Sequence, residues 1–459
     1  MRLTSEISTS DLSAAFPLRL LLLLSAYGAC LCLLSAKLSL WLDEIIDLKG
    51  IRDHDIHALL AWIPTNAGAV PLDYLIRAAT IHLLGYSAFA SRLPSVLWSV
   101  LAGAGVFALA RKMNLRSPFL AVLTFCLLPL QLRYALEARP YSQGLALSLW
   151  STNVFLSLVS NPTASKATVY GLIALAGLYT QPYVLFVVFA HLAWLCVSEL
   201  QGKSRLLIWA SVPVVLAALA FLPWYLWAAS RWRESAESFH HAIGLRAALL
   251  IARELIAAGY FGTSLVALLI VLGLKASGVP LPGRSFWLLY LLLPLFLAVL
   301  ADFLFGYFLA IRQMIFIVAP LSLLAVVGIE KLASNGRNFA ALAMSLLIAT
   351  FLISDFRFLT KPRENWEAAS AILDTLSKQG SCVIFVPGDS VRLYEFFAPA
   401  IETHTCRTVS VEEQSVAVAI SPYDATIKRE PLSSSLPAGF AKVDELNPTG
   451  PRIEVYRRK

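Results

Sequence analysis

The sequence predicts a mainly α-helical membrane protein: a polytopic helical bundle of about eleven spans, with interfacial helices and a small C-terminal α/β domain. Hydrophobic residues make up 58% of the 459 positions and only 14% are charged, against roughly 25% charged in soluble domains. Apolar stretches of about twenty residues, long enough to cross a hydrocarbon layer, recur along the chain. From Asp355 onward these stretches end, and prolines and charges return.

The net charge of +8 is distributed in a way that indicates membrane topology and argues against a nucleic-acid partner. If the N-terminus is cytoplasmic, every short basic gap between spans lies on the cytoplasmic side, as the positive-inside bias requires. These gaps contain Arg111, Lys112, Arg116, Lys166, Lys203, Arg205, Lys275, Arg284, Lys331 and Arg337. We therefore expect a multi-pass protein of the inner (cytoplasmic) membrane with an extracytoplasmic C-terminal domain.

The first predicted span, Phe16 to about Leu38, is too long for a cleaved signal peptide and is expected to remain as an anchor. Helices 5 and 6 form a tight pair around Tyr179–Tyr183, and helix 8 ends near Lys275. The other predicted spans are about Leu93–Ala110, Pro118–Leu130, Ser142–Val159, Leu206–Ala229, Phe286–Ala301, Gln313–Ile329 and Phe339–Ile353.

The segment Pro71–Leu84 is predicted to be an interfacial helix. Asp73 and Arg77 are four residues apart and share one helical face, beside an apolar face. Counting the segment as a span would also place the basic gap after Ala110 outside. Residues Arg246–Gly259 are expected to form a second interfacial helix.

Two domains follow from these patterns: a transmembrane domain over residues 1–355, with a first outer loop at 41–92, and an extracytoplasmic α/β domain over residues 356–459. The second domain is expected to begin with an amphipathic helix, Trp366–Ser377, and a buried strand, Ser381–Val386. Weaker strand candidates are Thr408–Val411, Ser415–Ile420 and Ile453–Tyr456.

The only two thiols of the C-terminal domain are Cys382 and Cys406. An exported domain lies in an oxidising compartment, which favours a disulfide between them. Two buried free thiols are the alternative, and the sequence leaves both open.

His54 and His57 lie beside Asp53 and Asp55 in the first outer loop. Their spacing matches no standard zinc-ligand set. A solvated loop is therefore the favoured interpretation, and no metal is expected.

Three polar clusters are expected on the outer face. One is Trp41-Leu42-Asp43-Glu44, one is Arg133–Tyr141, and the third is Arg312, flanked by Tyr307 and Gln313. A carboxylate can deprotonate a hydroxyl, and guanidinium groups can bind a phosphate. The alternative is a set of solvated helix ends and snorkelling anchors.

Short motifs recur in a characteristic order along the chain. They are Trp41-Leu42-Asp43-Glu44, Pro71-Leu72-Asp73-Tyr74-Leu75, Arg92-Leu93-Pro94-Ser95, Glu137-Ala138-Arg139-Pro140-Tyr141, Tyr179-Thr180-Gln181-Pro182-Tyr183 and Arg312-Gln313. In this order and spacing the chain resembles the GT-C membrane glycosyltransferases, in particular the bacterial relatives of protein O-mannosyltransferases and lipid A aminoarabinose transferases. The resemblance covers about Phe16 to Ile353.

The resemblance implies inverting transfer of a sugar from a polyprenyl-phosphate donor to an acceptor hydroxyl or phosphate, at the outer face of the membrane, in modification of a cell-envelope glycan or lipid. It implies no cofactor and no nucleotide sugar. The expected partners are membrane lipid, the lipid-linked sugar and a glycan, lipid or protein acceptor.

By the same resemblance, Asp43 is the catalytic base and Glu44 supports it. Glu137 positions the acceptor or acts as a second acid group, and Arg139 and Arg312 bind the donor phosphate. Three tyrosines are expected to position the substrate: Tyr141, Tyr183 and Tyr307.

The chain departs from the family pattern at three places. Gln181 stands where the family often has a histidine, Gln313 where it often has a tyrosine, and Val70 where it often has a proline. These departures leave the reaction class intact but leave the sugar and the acceptor open. Competing interpretations are a lipid-linked sugar transporter or flippase, a polysaccharide polymerase or ligase, and a structural membrane protein.

Overall fold

The structure is a computed structural model that divides the chain into two compact units. It describes residues 17–66, 68–198, 203–237, 256, 258–275, 282–305, 311–361, 363–406, 413–421, 436, 438–446 and 450–459. The first unit comprises Met1–Ser35 and Ile56–Leu359, and the second comprises Ala36–Asp55 and Thr360–Lys459. The second unit thus includes part of the segment that the sequence analysis assigned to the first outer loop.

The chain is mainly helical. In chain order the helices are α1 (Leu18–Lys37), α2 (Leu42–Asp53), α3 (Ile56–Trp62), α4 (Pro71–Leu84), α5 (Ala88–Lys112), α6 (Pro118–Leu127), α7 (Pro129–Ala135), α8 (Tyr141–Ser160), α9 (Ala164–Thr180), α10 (Val184–Val197), α11 (Lys203–Glu237), α12 (Gly259–Lys275), α13 (Arg284–Phe305), α14 (Val318–Asn335), α15 (Arg337–Thr360), α16 (Trp366–Lys378) and α17 (Val391–Glu395). Short 3-10 helices cover Ile63–Thr65, Ile311–Ile317, Gly388–Ser390 and Pro399–His404.

All eleven predicted spans coincide with helices, but fewer of these helices meet the length and hydropathy expected of a membrane span. Within the described residues, six do: α1, α5, α11, α13, α14 with its preceding 3-10 helix, and α15. The bent pair α6 and α7 would be a seventh. Helices α9, α10 and α12 have 14 to 17 residues, and α8 is interrupted by serine, threonine and asparagine side chains. The count of about eleven therefore stays a prediction.

The predicted span Pro118–Leu130 is not one straight helix, because it bends by 64° between α6 and α7. Pro129 begins α7, and a proline disfavours helical backbone at the residue before it. Leu128 accordingly has extended geometry, with φ −68° and ψ 120°. The bend separates the apolar helix α6 from the polar segment that begins with α7.

Helix α4 has the bounds predicted for it, Pro71–Leu84, but its charged side chains do not face water. Asp73 is 3% exposed and Arg77 is 0% exposed, and the two form an ion pair one helical turn apart. The helix packs against α5 and α9. The amphipathic argument for an interfacial helix was therefore wrong about these two residues, because each neutralises the other inside the protein. The second predicted interfacial helix, Arg246–Gly259, lies largely outside the described residues.

Helices α12 and α14 approach each other closely at two glycines, Gly273 and Gly328. A Cβ atom added at Gly328 would lie 2.7 Å from the carbonyl carbon of Leu269 and closer still to its oxygen. A Cβ atom at Gly273 would lie 2.7 Å from the carbonyl oxygen of Leu324. Small residues allow this contact, which is a common way for membrane helices to associate.

We expect Gly328→Ala to lower the thermal stability of the detergent-solubilised protein, because the clash is with helix backbone and α12 and α14 must separate. The expected cost is about 1–3 kcal/mol, as for overpacked cores. Gly388→Ala is the matched control, since no atom lies within 4 Å of the added Cβ there. Equal melting temperatures for Gly328→Ala and the wild-type protein would contradict the close packing.

The second unit contains a four-stranded mixed sheet in the order β1-β2-β4-β3. Its strands are β1 (Cys382–Val386), β2 (Ser415–Ile420), β3 (Phe440–Leu446) and β4 (Arg452–Arg458). Strands β1 and β2 are parallel, and the other neighbours are antiparallel. Three of the predicted strands are present in the sheet, as β1, β2 and β4. The predicted strand Thr408–Val411 lies outside the described residues, and β3 was missed because most of its side chains are exposed.

The open question about the two thiols has a structural answer, because Cys382 and Cys406 are joined in a disulfide. Their Cα atoms are 5.7 Å apart, within the roughly 4.4–6.8 Å that a disulfide spans. Cys406 also donates a backbone hydrogen bond of 3.0 Å to the carbonyl oxygen of Val383. The bond thus ties the chain after the 3-10 helix Pro399–His404 to strand β1.

Candidate functional site

The loop between α7 and α8 carries Glu137 and Arg139, and side chains from two other helices hold its backbone. The Ser95 hydroxyl on α5 lies 2.6 Å from the carbonyl oxygen of Glu137 and 3.3 Å from that of Arg139. Arg77 on α4 donates to the carbonyl oxygen of Ala138, between them. The single Ser95 hydroxyl, closest to the Glu137 carbonyl oxygen, and one N–H of Arg77 therefore hold the loop backbone against α5 and α4.

The loop side chains form a compact polar and aromatic cluster in the first unit. Glu137 is 8% exposed, and Arg139 is half-buried with its guanidinium 5.9 Å from the centre of the Tyr141 ring. The Tyr141 ring contacts the Tyr134 ring edge to face at 5.1 Å. The charged groups of Glu137 and Arg312 both lie near enough to the Tyr134 hydroxyl to influence its ionisation.

Arg312 reaches this cluster from a distant part of the chain. It lies on the 3-10 helix Ile311–Ile317, which packs against α7 and α8. Four of the predicted site residues thus lie around the α7–α8 loop: Glu137, Arg139, Tyr141 and Arg312. One carboxylate and two guanidinium groups give this region both an acceptor and cationic donors suited to phosphate.

Asp43 and Glu44 belong to the second unit, in the first turn of α2. Glu44 is buried, and its carboxylate accepts a hydrogen bond of 3.1 Å from the backbone N–H of Trp41. This hydrogen bond is half of a capping box, so Glu44 stabilises the start of α2. Asp43 is half-buried in the same turn, which leaves part of its surface accessible. Asp47, one turn further along, is buried and was not singled out in the sequence.

Of the two remaining predicted tyrosines, only Tyr183 lies within the described residues. Tyr183 is half-buried at the start of α10, with its ring edge to face on Phe186 at 5.3 Å. Tyr307 lies outside the described residues. The role of Tyr183 and Tyr307 in positioning the substrate stays a prediction.

Several polar residues that hold the site were not given a role from the sequence. Arg77 and Ser95 lie in or near the quoted motifs, but their contacts with the α7–α8 loop depend on tertiary packing. Gln143 and Gln181 are both buried, and a Cβ atom at Gly144 would lie 2.5 Å from Oε1 of Gln181. Isolated polar residues within apolar runs were the signal for these positions.

One group of three potential metal ligands occurs in the described part of the chain: Cys382, Cys406 and Glu413. The disulfide engages both sulfur atoms, which leaves a single carboxylate. Nδ1 of His54, directly after α2, lies 2.8 Å from the carbonyl oxygen of Gly50, so this histidine helps to end the helix.

Comparison with known proteins relates the fold to membrane glycosyltransferases. No protein-family model matches the chain, and no curated protein sequence matches it. ArnT from Cupriavidus metallidurans bound to undecaprenyl phosphate superposes with a TM-score of 0.59 at 12% identity, over 96% of this chain and 98% of that one. The oligosaccharyltransferase AglB from Archaeoglobus fulgidus, in complex with an inhibitory peptide and a dolichol-phosphate, superposes with a TM-score of 0.53 at 11% identity, over 88% of this chain and 69% of that one.

These superpositions define the class of fold. The chain has the fold of the GT-C membrane glycosyltransferases, along nearly the full length of ArnT. The resemblance inferred from the ordered motifs is confirmed at the level of the fold. At 11–12% identity the likeness carries no residue roles, so the roles depend on the geometry described above.

Proposed function

We propose that this protein is a glycosyltransferase that moves a sugar from a polyprenyl-phosphate donor to an acceptor hydroxyl or phosphate. The observation that carries the proposal is the grouping of Glu137, Arg139 and Arg312 around the α7–α8 loop, whose backbone is held by Arg77 and Ser95, within a GT-C fold. Two solved proteins with this fold contain a polyprenyl phosphate in their complexes, undecaprenyl phosphate in one and dolichol-phosphate in the other.

The proposed reaction is a single displacement with inversion. The acceptor oxygen attacks the anomeric carbon, and the bond from that carbon to the phosphate oxygen breaks. Asp43 takes the proton from an acceptor hydroxyl as general base. Arg139 and Arg312 neutralise the charge that develops on the departing polyprenyl phosphate. Glu137 orients the acceptor.

The reaction is proposed to occur at the outer face of the cytoplasmic membrane. The positions of the basic gaps support this side, because they place both the first outer loop and the C-terminal unit outside. The product would be a modified cell-envelope glycan, lipid or protein.

The test is a mass-spectrometric comparison of envelope glycolipids and glycoproteins from cells with and without the gene. We expect loss of one sugar residue from one class of product, with accumulation of the polyprenyl-phosphate donor. If the protein were a transporter or flippase, its loss would instead leave a lipid-linked sugar on the cytoplasmic side. Unchanged glycolipids and glycoproteins would contradict the proposal.

Arg139→Ala and Arg312→Ala are each expected to weaken binding of undecaprenyl phosphate about 10–100-fold, since a hydrogen bond to a charged group contributes about 1.5–3 kcal/mol. The apparent KM for the donor should rise in parallel. Arg231→Ala is a matched control, because that arginine lies on the Trp227 ring at 4.9 Å on α11 and has no place in the cluster. Normal donor affinity in both site variants, with folding intact, would remove the arginines from the donor site.

A further inference from the structure

Helix α2, which carries Asp43, is packed against helix α17 of the same unit. Nζ of Lys49 lies 3.2 Å from Oε2 of Glu395. Nη1 of Arg52 donates a hydrogen bond of 2.9 Å to the carbonyl oxygen of Phe396, and its guanidinium lies 4.9 Å from the centre of the Phe396 ring. One side chain of α2 thus contacts both the backbone and the ring that follow α17.

Asp53 links the two cations on the α2 side of this contact. It accepts hydrogen bonds of 2.8 Å from Nε of Arg52 and from Nζ of Lys49. Burial alone would raise the pKa of Asp53, but the hydrogen bonds from Arg52 and Lys49 outweigh it and hold the pKa below its usual value. We call Lys49, Arg52, Asp53, Glu395 and Phe396 the α2–α17 clamp.

Helix α17 is itself fixed in the core of the unit. Tyr394 is buried, and its ring lies between Trp366 of α16, at 5.3 Å, and Phe385 of β1, at 4.9 Å. Leu393 beside it is also buried. A continuous chain of contacts therefore leads from the sheet and α16, through α17 and the clamp, to α2.

Helix α2 depends on such contacts for its position. It has only 12 residues and includes Gly50, and isolated helices of this length are marginal in water. Asp43 and Arg52 are on the same helix, about 13 Å apart along its axis at roughly 1.5 Å per residue. A tilt of α2 at the clamp therefore moves the Asp43 carboxylate.

We propose that Arg52 and Lys49 are positioning residues, and that the C-terminal unit holds the Asp43 helix in its productive orientation through the α2–α17 clamp. This inference rests on the proposed function, in which Asp43 is the general base. The C-terminal unit then contributes to sugar transfer by orienting the helix that carries Asp43. Displacement of a reacting group by about 1 Å can lower a rate by about 100-fold, so small movements at the clamp have large consequences.

The test uses the full-length protein and two independent measurements: hydrogen exchange of residues 42–53 by mass spectrometry, and the kcat and KM of sugar transfer. Arg52→Ala should speed exchange in α2 and lower kcat about tenfold or more, with the KM for the donor unchanged. Arg52→Lys, which retains the charge and much of the stem, should restore part of the kcat. Lys378→Ala is the control, because it removes an exposed ion pair with Asp374 in the same unit.

A double-mutant cycle tests the second contact of the clamp. Lys49→Met and Glu395→Gln should each speed exchange in α2. The double variant should be little worse than Lys49→Met alone, because Lys49→Met already removes the contact with Glu395 together with the contact to Asp53. Additive effects, or normal exchange and normal kcat in Arg52→Ala, would overturn the inference. If no sugar transfer is found for the wild-type protein but exchange follows the expected pattern, the proposed function fails while the coupling of α2 to α17 stands.

Discussion

Asp43→Asn is expected to lower the rate of sugar transfer by roughly 10²–10⁴-fold, the usual contribution of a general base. The substitution retains the size and hydrogen bonding of the side chain but removes most of its basicity. Asp43 is half-buried in the first turn of α2, so the loss should appear in kcat with little change in stability. The measurement is transfer from a purified polyprenyl-phosphate sugar by detergent-solubilised variants of equal thermal stability.

Glu44→Gln is the matched control for this prediction. Glu44 accepts the backbone hydrogen bond of Trp41 and is buried. Because the amide oxygen of Gln can accept the same hydrogen bond at this position of a capping box, the start of the helix should be largely preserved. The effect of Glu44→Gln on the rate should be smaller than that of Asp43→Asn. A dead Glu44→Gln protein beside a normal Asp43→Asn protein would reverse the two roles. Full activity in both would exclude the first turn of α2 from catalysis.

Arg77→Ala is expected to destabilise the first unit by about 3–5 kcal/mol, the usual cost of removing one partner of a buried ion pair. Arg77 is fully buried, and it serves both the Asp73 carboxylate and the carbonyl oxygen of Ala138. The substitution leaves the Asp73 charge buried without its cation and releases the α7–α8 loop. A lower melting temperature and weaker binding of undecaprenyl phosphate should therefore occur together.

The double variant Asp73→Leu/Arg77→Met separates these two consequences. It removes both charges and fills similar volume, so much of the stability should return. The hydrogen bond to Ala138 remains absent, so donor binding should stay impaired. Arg77→Ala with a wild-type melting temperature would contradict the buried pair. Full recovery of donor binding in the double variant would show that Arg77 does not hold the loop.

In both predictions, the position of a proposed site residue depends on contacts made by other residues. Asp43 depends on the position of α2, which the clamp of Lys49 and Arg52 sets within the second unit. Glu137 and Arg139 depend on backbone contacts from Arg77 and Ser95. Variants at these supporting positions should resemble weakened site variants, which is why the stability and exchange measurements accompany every rate.

The sequence by itself determined the class of protein and most helix positions. Span-length apolar runs and basic gaps are local properties. They located α1 to within two residues, and they located α5, α11 and α15, whose ends extend up to eight residues beyond the predicted spans. The bounds of α4 followed in the same way, from Pro71 at its start to Gly85 after its end. The ordered motifs also indicated the fold, because each motif is short and contiguous and can be recognised in the sequence without knowledge of tertiary contacts.

Only the tertiary structure decided where the polar groups of these elements point and what they contact. The sequence placed Asp73 and Arg77 on one helical face, and packing against α5 and α9 turned that face inward. Strand β3 is recognisable only by its pairing with β4, since its exposed side chains do not alternate. The assignment of α2 to the second unit depends on contacts between residues more than 300 positions apart, such as Arg52 with Phe396. Local pattern determined most of the helices and three of the four strands. Long-range packing determines which faces meet, and that information is distributed over the whole chain.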